Sequence, residues 1–280
     1  MNNNAQSVKD KLKTIAKQRN VDFNLVMRFY MYDRFMERLV TSKYKNNFIL
    51  KGGFYLSKLF GIDNRSTIDI NPAIQNTELD KENIKNIINE ILNIDTNDNV
   101  IFSLEEITPI REKDEYGGLR VTVIFKLDNI KDKFHIDIAT GDPIYPGPKY
   151  YNYQTLINNK EYKVLTYSIE TILAEKIETI LSKLEKSSRM KDYYDIYMIY
   201  KFEFERINKN NLKIAIEKTF KKRCFNQNPI KNIEIIKSSE ILKIKWKSYT
   251  LKNKYAKNID FNETIKCLEQ FIKIIDVVTT

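Results

Sequence analysis

Two short stretches place oxygen-bearing side chains at the spacing of a β-strand. In "STIDINPAI", residues 66–74, Asp69 and Asn71 stand two apart, and in "FHIDIAT", residues 134–140, Asp137 lies between Ile136 and Ile138. On a strand, residues i and i+2 share one face with Cα atoms about 6.5 Å apart, so Asp69 and Asn71 point away from the side that Ile68 and Ile70 would bury. His135, Asp137 and Ala139 likewise oppose Phe134, Ile136 and Ile138. If the two strands are neighbours, three such side chains converge on one face. Carboxylates gathered in this way repel one another unless a cation offsets their charge. Mg²⁺ (or Mn²⁺), held by one or two carboxylates together with substrate phosphates, is the usual resolution. Taken singly, either stretch is also an ordinary solvated strand face.

Other residues add to the pattern. Gly52 and Gly53, in "ILKGGFYL", precede a short helical run, and the N-terminal amides of such a helix can bind a phosphate. A P-loop is excluded, because no GK[ST] follows at the needed spacing. In "SIETILAEKIETILSKL", Lys176 falls on the apolar stripe of Ile169, Ile172, Leu173, Ile180 and Leu184. An ammonium there either meets a buried anion or snorkels to the surface. Asp192 and Asp195, in "SRMKDYYDIYMIY", share one helix face, where pairing with Arg189 and Lys191 would account for them without catalysis.

The elements that must position these residues follow from periodicity. Residues 6–40 read as two helices, "NNFILKGG" as a short buried strand, and "FYLSKLF" as one or two helical turns ended by Gly61. "STIDINPAI" reads as a half-buried strand. "DKENIKNIINEILNI" reads as a helix with Asp80 as N-cap. "IFSLEEI", "GGLRVTVIFKL" and "KFHIDIATG", the last two joined by "DNIKDK", suggest an antiparallel meander. Three prolines and two glycines make "GDPIYPGPKYYNYQ" a boundary loop, and from "SIETIL" onward the pattern is helical. An α+β fold is expected, with a catalytic lobe over 1–155 and a helical, basic lobe over 156–280.

The 280 residues carry 47 basic and 37 acidic side chains. Residues 206–280 hold 17 of the basic and 7 of the acidic ones, leaving 30 of each in residues 1–205, so the whole excess of +10 sits in the last quarter. A basic face of this kind suits a polyanion, with nucleic acid the first candidate. Compositional enrichment in Lys, Asn and Ile is the plainer account. Trp246, Tyr249 and Tyr255 could stack on unpaired bases, or belong to the core. Cys224 and Cys267 have no metal-site spacing and are expected to be buried, reduced thiols. No apolar run approaches the roughly 18 residues of a membrane span, and the polar start lacks a signal-peptide core, so a cytoplasmic protein without membrane contact is expected.

The ordered set "KGGFYL", "RSTIDI", "FHIDIATGDPI", "YSIETILAEKIETIL" and "RMKDYYDIY" resembles the AbiEii/AbiGii family of nucleotidyltransferase-like toxins over roughly residues 25–200. That family is similar to polymerase β-type nucleotidyltransferases. Its members are toxins of type IV toxin–antitoxin systems, several of which halt growth or abort phage infection, and some add nucleotides to the 3′ end of tRNA. The resemblance implies a transfer of NMP from an NTP to an RNA, with tRNA the expected acceptor, and a cognate AbiEi-like antitoxin without stable direct contact. It places Gly52 and Gly53 at the nucleotide phosphates with Arg65 and Thr67. Asp69 and Asp137 become metal ligands and Lys176 the cation at the triphosphate, and Asp192 with Asp195 forms the later acidic motif of the catalytic set.

Two positions depart from the family pattern. Phe54 stands where a small hydroxyl residue commonly follows the glycines. Asn71 stands where the second metal-binding Asp belongs, keeping its shape and oxygen but not its charge. Three accounts are open: an engineered inactive form, a natural enzyme with a weakened site, and a natural pseudoenzyme that binds nucleotide without turnover.

Overall fold

The computed structural model describes residues 5–66, 70–110 and 117–276, without the side chains of 275 and 276. Its chain forms two compact units, one of residues 1–141 with 149–166 and one of 142–148 with 167–280.

The first unit opens with α1 (Ala5–Arg19) and α2 (Phe23–Thr41), the latter capped by Asp22, whose side chain accepts from the Asn24 amide at 2.7 Å. β1 (Phe48–Leu50) is fully buried and runs into α3 (Gly52–Phe60), which ends at Gly61 with φ +89°. Glycine adopts that conformation without the Cβ clash that other residues meet. β2 (Pro72–Ile74) and α4 (Lys81–Leu92) follow, and Asp80 caps α4 through the Asn83 amide at 2.9 Å. β3 (Val100–Ile110), β4 (Gly118–Leu127) and β5 (Ile130–Ala139) then form the expected antiparallel meander. β6 (Lys149–Gln154) and β7 (Glu161–Thr166) complete the sheet.

The order is β3-β4-β5-β2-β1-β7-β6, with β2–β5 and β1–β7 parallel and the remaining pairs antiparallel. Behind β5, the Phe134 ring meets Tyr32 at 5.3 Å, Phe102 at 5.9 Å and Phe35 at 6.1 Å. α2 is tied to the start of β3 by Arg38, whose guanidinium forks onto Asp98 at 2.7 and 3.0 Å and reaches the Val100 carbonyl at 2.9 Å.

The second unit is helical: α5 (Ile169–Lys183), α6 (Met190–Glu203), α7 (Lys209–Lys222), α8 (Pro229–Ser238), α9 (Glu240–Lys252) and α10 (Phe261–Asp276). The α+β class is as expected. Among the described residues no helix is long and apolar enough to cross a membrane.

Several local expectations are corrected. The second half of the supposed boundary loop is β6, because Tyr151 and Tyr153 alternate inward against β7. The joint "DNIKDK" is a two-residue turn, Asp128–Asn129, and Ile130–Lys133 belong to β5. Cys224 is exposed, and only Cys267 is buried. Trp246 is buried with its indole N–H donating to the Ile259 carbonyl at 2.9 Å, and Tyr249 and Tyr255 share a hydroxyl contact at 3.1 Å. These rings are occupied inside the second unit.

Candidate active site

In the first unit, the short segment before β2 runs beside β5. The Ile70 amide donates to the His135 carbonyl at 3.3 Å, and the Asp137 amide donates to the Ile70 carbonyl at 2.9 Å. Ile70 thereby pairs with Ile136, and three residues on, Ala73 pairs with Ala139. The same offset sets Asn71 opposite Asp137, one strand spacing of about 4.8 Å away, on the face opposite buried Ile70 and Ile136. On the other side of β5, Arg120 of β4 is in register with Asp137. The Lys51 amide, from the residue joining β1 to α3, donates to the Asn71 carbonyl at 3.1 Å. Asn71 and Asp137 are thus brought together next to the glycines that begin α3. Lys51 supplies no side-chain cap to that helix, so its first amides keep the donor capacity a phosphate needs.

The side chains on this face differ in their hydrogen bonding. Asp137 Oδ1 accepts from Arg120 Nε and Oδ2 from Arg120 Nη2, both at 2.7 Å. Asn71 Oδ1 is buried with no hydrogen-bond partner. Next along the same strands, Thr122 Oγ1 lies 3.2 Å from His135 Nδ1. An orphaned carbonyl oxygen beside a carboxylate is the donor chemistry that a hard cation takes, since each carboxylate oxygen has lone pairs beyond those used by one guanidinium. The described residues therefore fit a divalent ion, with one full negative charge between them. Among the described residues no cluster of three His, Cys, Asp or Glu could hold a metal, and the carboxylate expected to complete the set, Asp69, lies outside them with Thr67. Arg65 is 2% exposed and turned onto the backbone, its guanidinium bonding the Ser66 carbonyl and its amide the Gly61 carbonyl at 2.9 Å. Phe54 points into the core, 5.5 Å from Tyr32 and 6.0 Å from Tyr153 by ring centroids.

In the second unit, Lys176 meets a buried anion rather than snorkelling. Its Nζ lies 2.8 Å from Asp192 Oδ1 and 2.6 Å from Asp195 Oδ2, and both carboxylates are fully buried. Arg189 Nε adds a 2.7 Å bond to Asp192 Oδ2. Two cations thus balance two carboxylates. Burial alone would raise the Asp192 carboxyl, but the Lys176 ammonium and the Arg189 guanidinium outweigh it and hold it at about 2. The helix-face reading anticipated Arg189 as a partner of Asp192; Lys176, which joins both carboxylates, came from another helix.

Arg120 is the residue that sequence reasoning missed. Its strand alternation with Thr122 was visible, but its register against Asp137 depends on the two-residue turn.

A mixed sheet carrying an acidic and an amide side chain on adjacent strands, beside a glycine-led helix that follows a third strand, defines a nucleotidyltransferase-like α+β protein. The chain matches the family described as Nucleotidyl transferase AbiEii toxin, Type IV TA system, over residues 34–266. It belongs to that family. Among solved structures it is similar to JHP933 from Helicobacter pylori, at 16% identity, TM-score 0.50, 88% of this chain and 91% of that one. It also resembles a proposed nucleotidyltransferase of H. pylori, at 15% identity, TM-score 0.47, 88% and 94% coverage. An antigenic nucleotidyltransferase-like protein from Paracoccidioides brasiliensis follows, at 16% identity, TM-score 0.37, 86% and 93% coverage. At 16% identity the first of these likenesses is one of fold alone. No curated protein matches the chain in sequence.

Proposed function

We propose that this protein is a toxin that transfers NMP from an NTP to the 3′ end of an RNA, with a tRNA acceptor end as the substrate. The observation that carries the reading is the in-register pair of Asn71 and Asp137 beside the start of α3. Asp69, Asn71 and Asp137 would hold Mg²⁺ or Mn²⁺, which when bound stabilises charge on the attacking and leaving oxygens. The residues of the chain supply binding and orientation. Gly52 and Gly53 present backbone amides to phosphate oxygens. Arg65 and Thr67 are assigned to the nucleotide, and in the second unit Asp192 and Asp195 hold Lys176 through bonds of 2.8 and 2.6 Å. The RNA 3′-oxygen forms a bond to the α-phosphorus as the bond to the pyrophosphate oxygen breaks. The hydroxyl proton passes to a carboxylate of the sheet face, of which Asp137 is the described one. The antitoxin of the pair acts without stable contact with this chain.

One observation favours a second reading, a nucleotide- or RNA-binding pseudoenzyme. The described face holds one carboxylate, and that carboxylate is already paired with Arg120. Induced expression of this sequence in a bacterial host, beside its Asn71→Asp form, separates the readings. Arrest of growth by the carboxylate form, accompanied by transfer of labelled NTP to tRNA, supports the transferase. Identical behaviour of the two forms, with no transfer, leaves the binding protein.

A further inference from the structure

Arg120 has been given no role in the proposed reaction, yet it makes a two-point contact with Asp137 on the sheet face. Its guanidinium bonds Asp137 through Nε and Nη2, both at 2.7 Å, a fork-to-fork geometry that lysine cannot reproduce. The two residues face each other across β4 and β5 by register. The Arg120 side chain is 41% exposed against 18% for Asp137, so the cation sits on the solvent side. Arginine stays protonated at any working pH, so Asp137 keeps a compensating charge at all times. Asn71 Oδ1, in the next row position, accepts nothing.

We propose that Arg120 is the built-in counter-ion of the metal face: it neutralises Asp137 when no cation is bound, and a divalent cation gains Asp137 only by displacing the guanidinium. This rests on the metal-site reading above. Among the described residues of this face, the Asp137 charge is thus balanced inside the chain by Arg120, beside the neutral Asn71. A metal ion entering alone must compete with a fixed positive charge. A metal ion entering with a triphosphate need not, because the phosphates offer the released guanidinium a new partner. Arg120 is therefore a positioning residue that ties cation uptake to nucleotide binding.

The alternative is a cross-strand ion pair with a structural role alone. Mn²⁺ titration of the full chain, followed by the electron paramagnetic resonance signal of the free ion in the absence of nucleotide, separates the two. Removing one positive charge about 5 Å from the cation should tighten Mn²⁺ binding in Arg120→Gln about tenfold. Arg120→Lys, which leaves one carboxylate oxygen open, should bind about threefold tighter than the parent. In an Asp137→Asn background, where there is no carboxylate for the guanidinium to occupy, the Arg120→Gln change should have a smaller effect. Equal or weaker Mn²⁺ binding by folded Arg120→Gln overturns the proposal, and should that variant not fold, parent-like binding by Arg120→Lys does so. If no form binds Mn²⁺ at millimolar concentration either alone or with added triphosphate, the metal-site reading falls and takes this proposal with it. If all forms bind alike, only the role of Arg120 falls.

Discussion

An amide oxygen buried without a donor, as Asn71 Oδ1 is, costs roughly 1–3 kcal/mol. Replacing the amide by a carboxylate adds a second anion opposite Asp137, with Arg120 the cation already paired on that face. Asn71→Asp should therefore melt at a lower temperature than the parent without metal and gain more on adding Mg²⁺, its own gain being about 2.7 kcal/mol at a hundredfold excess over its dissociation constant. Differential scanning fluorimetry with and without Mg²⁺ reads both, and an equal Mg²⁺ response in the two forms would count against a metal at Asn71. The Asp192 carboxyl gives a second test. Its folded value of about 2 lies below the ordinary 3.8, so the unfolded chain takes up the proton first as pH falls. The stabilisation is complete above about pH 4, is lost between about 4 and 2, and amounts to ~2 kcal/mol. Asp192→Asn should flatten the acid limb in that window, at a cost near the low end of about 3–5 kcal/mol, because Asp195 still faces Lys176. The sequence marked Lys176 as misplaced on an apolar stripe. It could not name both partners, because they come from α6, across a helix packing that periodicity does not encode.

Elements whose signal is local were readable, and those whose identity depends on a neighbour were not. α4 carried its own evidence, a complete apolar stripe after a capping Asp80. β6 did not. Its Lys149, Tyr150 and Asn152 face solvent at the sheet edge, and only pairing with β7 makes the segment a strand. The β4–β5 turn is the costliest misreading, because a six-residue joint leaves the register open, whereas Asp128–Asn129 alone fixes Arg120 against Asp137. α2 was legible as an amphipathic helix, but its anchor was not, since Arg38 and Asp98 stand 60 residues apart. That anchor is buried at both ends, and breaking a buried pair leaves an uncompensated charge. Arg38→Met should lower the urea midpoint by the equivalent of about 3–5 kcal/mol. Arg38→Met combined with Asp98→Asn should recover part of it. A loss under 1 kcal/mol in the single variant would show that the pair contributes little to holding α2 on the sheet.

The whole molecule separates its charges as well as its folds. The chain leaves the first unit after Gly141, returns for Lys149–Thr166 and leaves again, so it passes between units three times. Proline and glycine mark the first passage but carry no information about a return, which only the pairing of β7 with β1 reveals. The basic excess, by contrast, was countable from the sequence, and the structure adds which of its lysines are exposed. Lys247, Lys252, Lys254 and Lys257, in and just after α9, all lie at the surface, while Lys245 is drawn inward onto the Glu185 and Ser187 carbonyls. Each phosphate neutralised by such a lysine releases counterions, about 0.7 per contact on single strands and 0.9 on duplex. Replacing those four lysines by glutamine should therefore weaken tRNA binding and flatten the plot of log affinity against log salt by up to about 3. Fluorescence anisotropy with labelled tRNA between low and moderate salt measures that slope. An unchanged slope would place the RNA elsewhere on the protein and leave the charge asymmetry to composition. A reduced slope with unchanged NTP binding would show that these lysines take part in RNA binding and not in NTP binding.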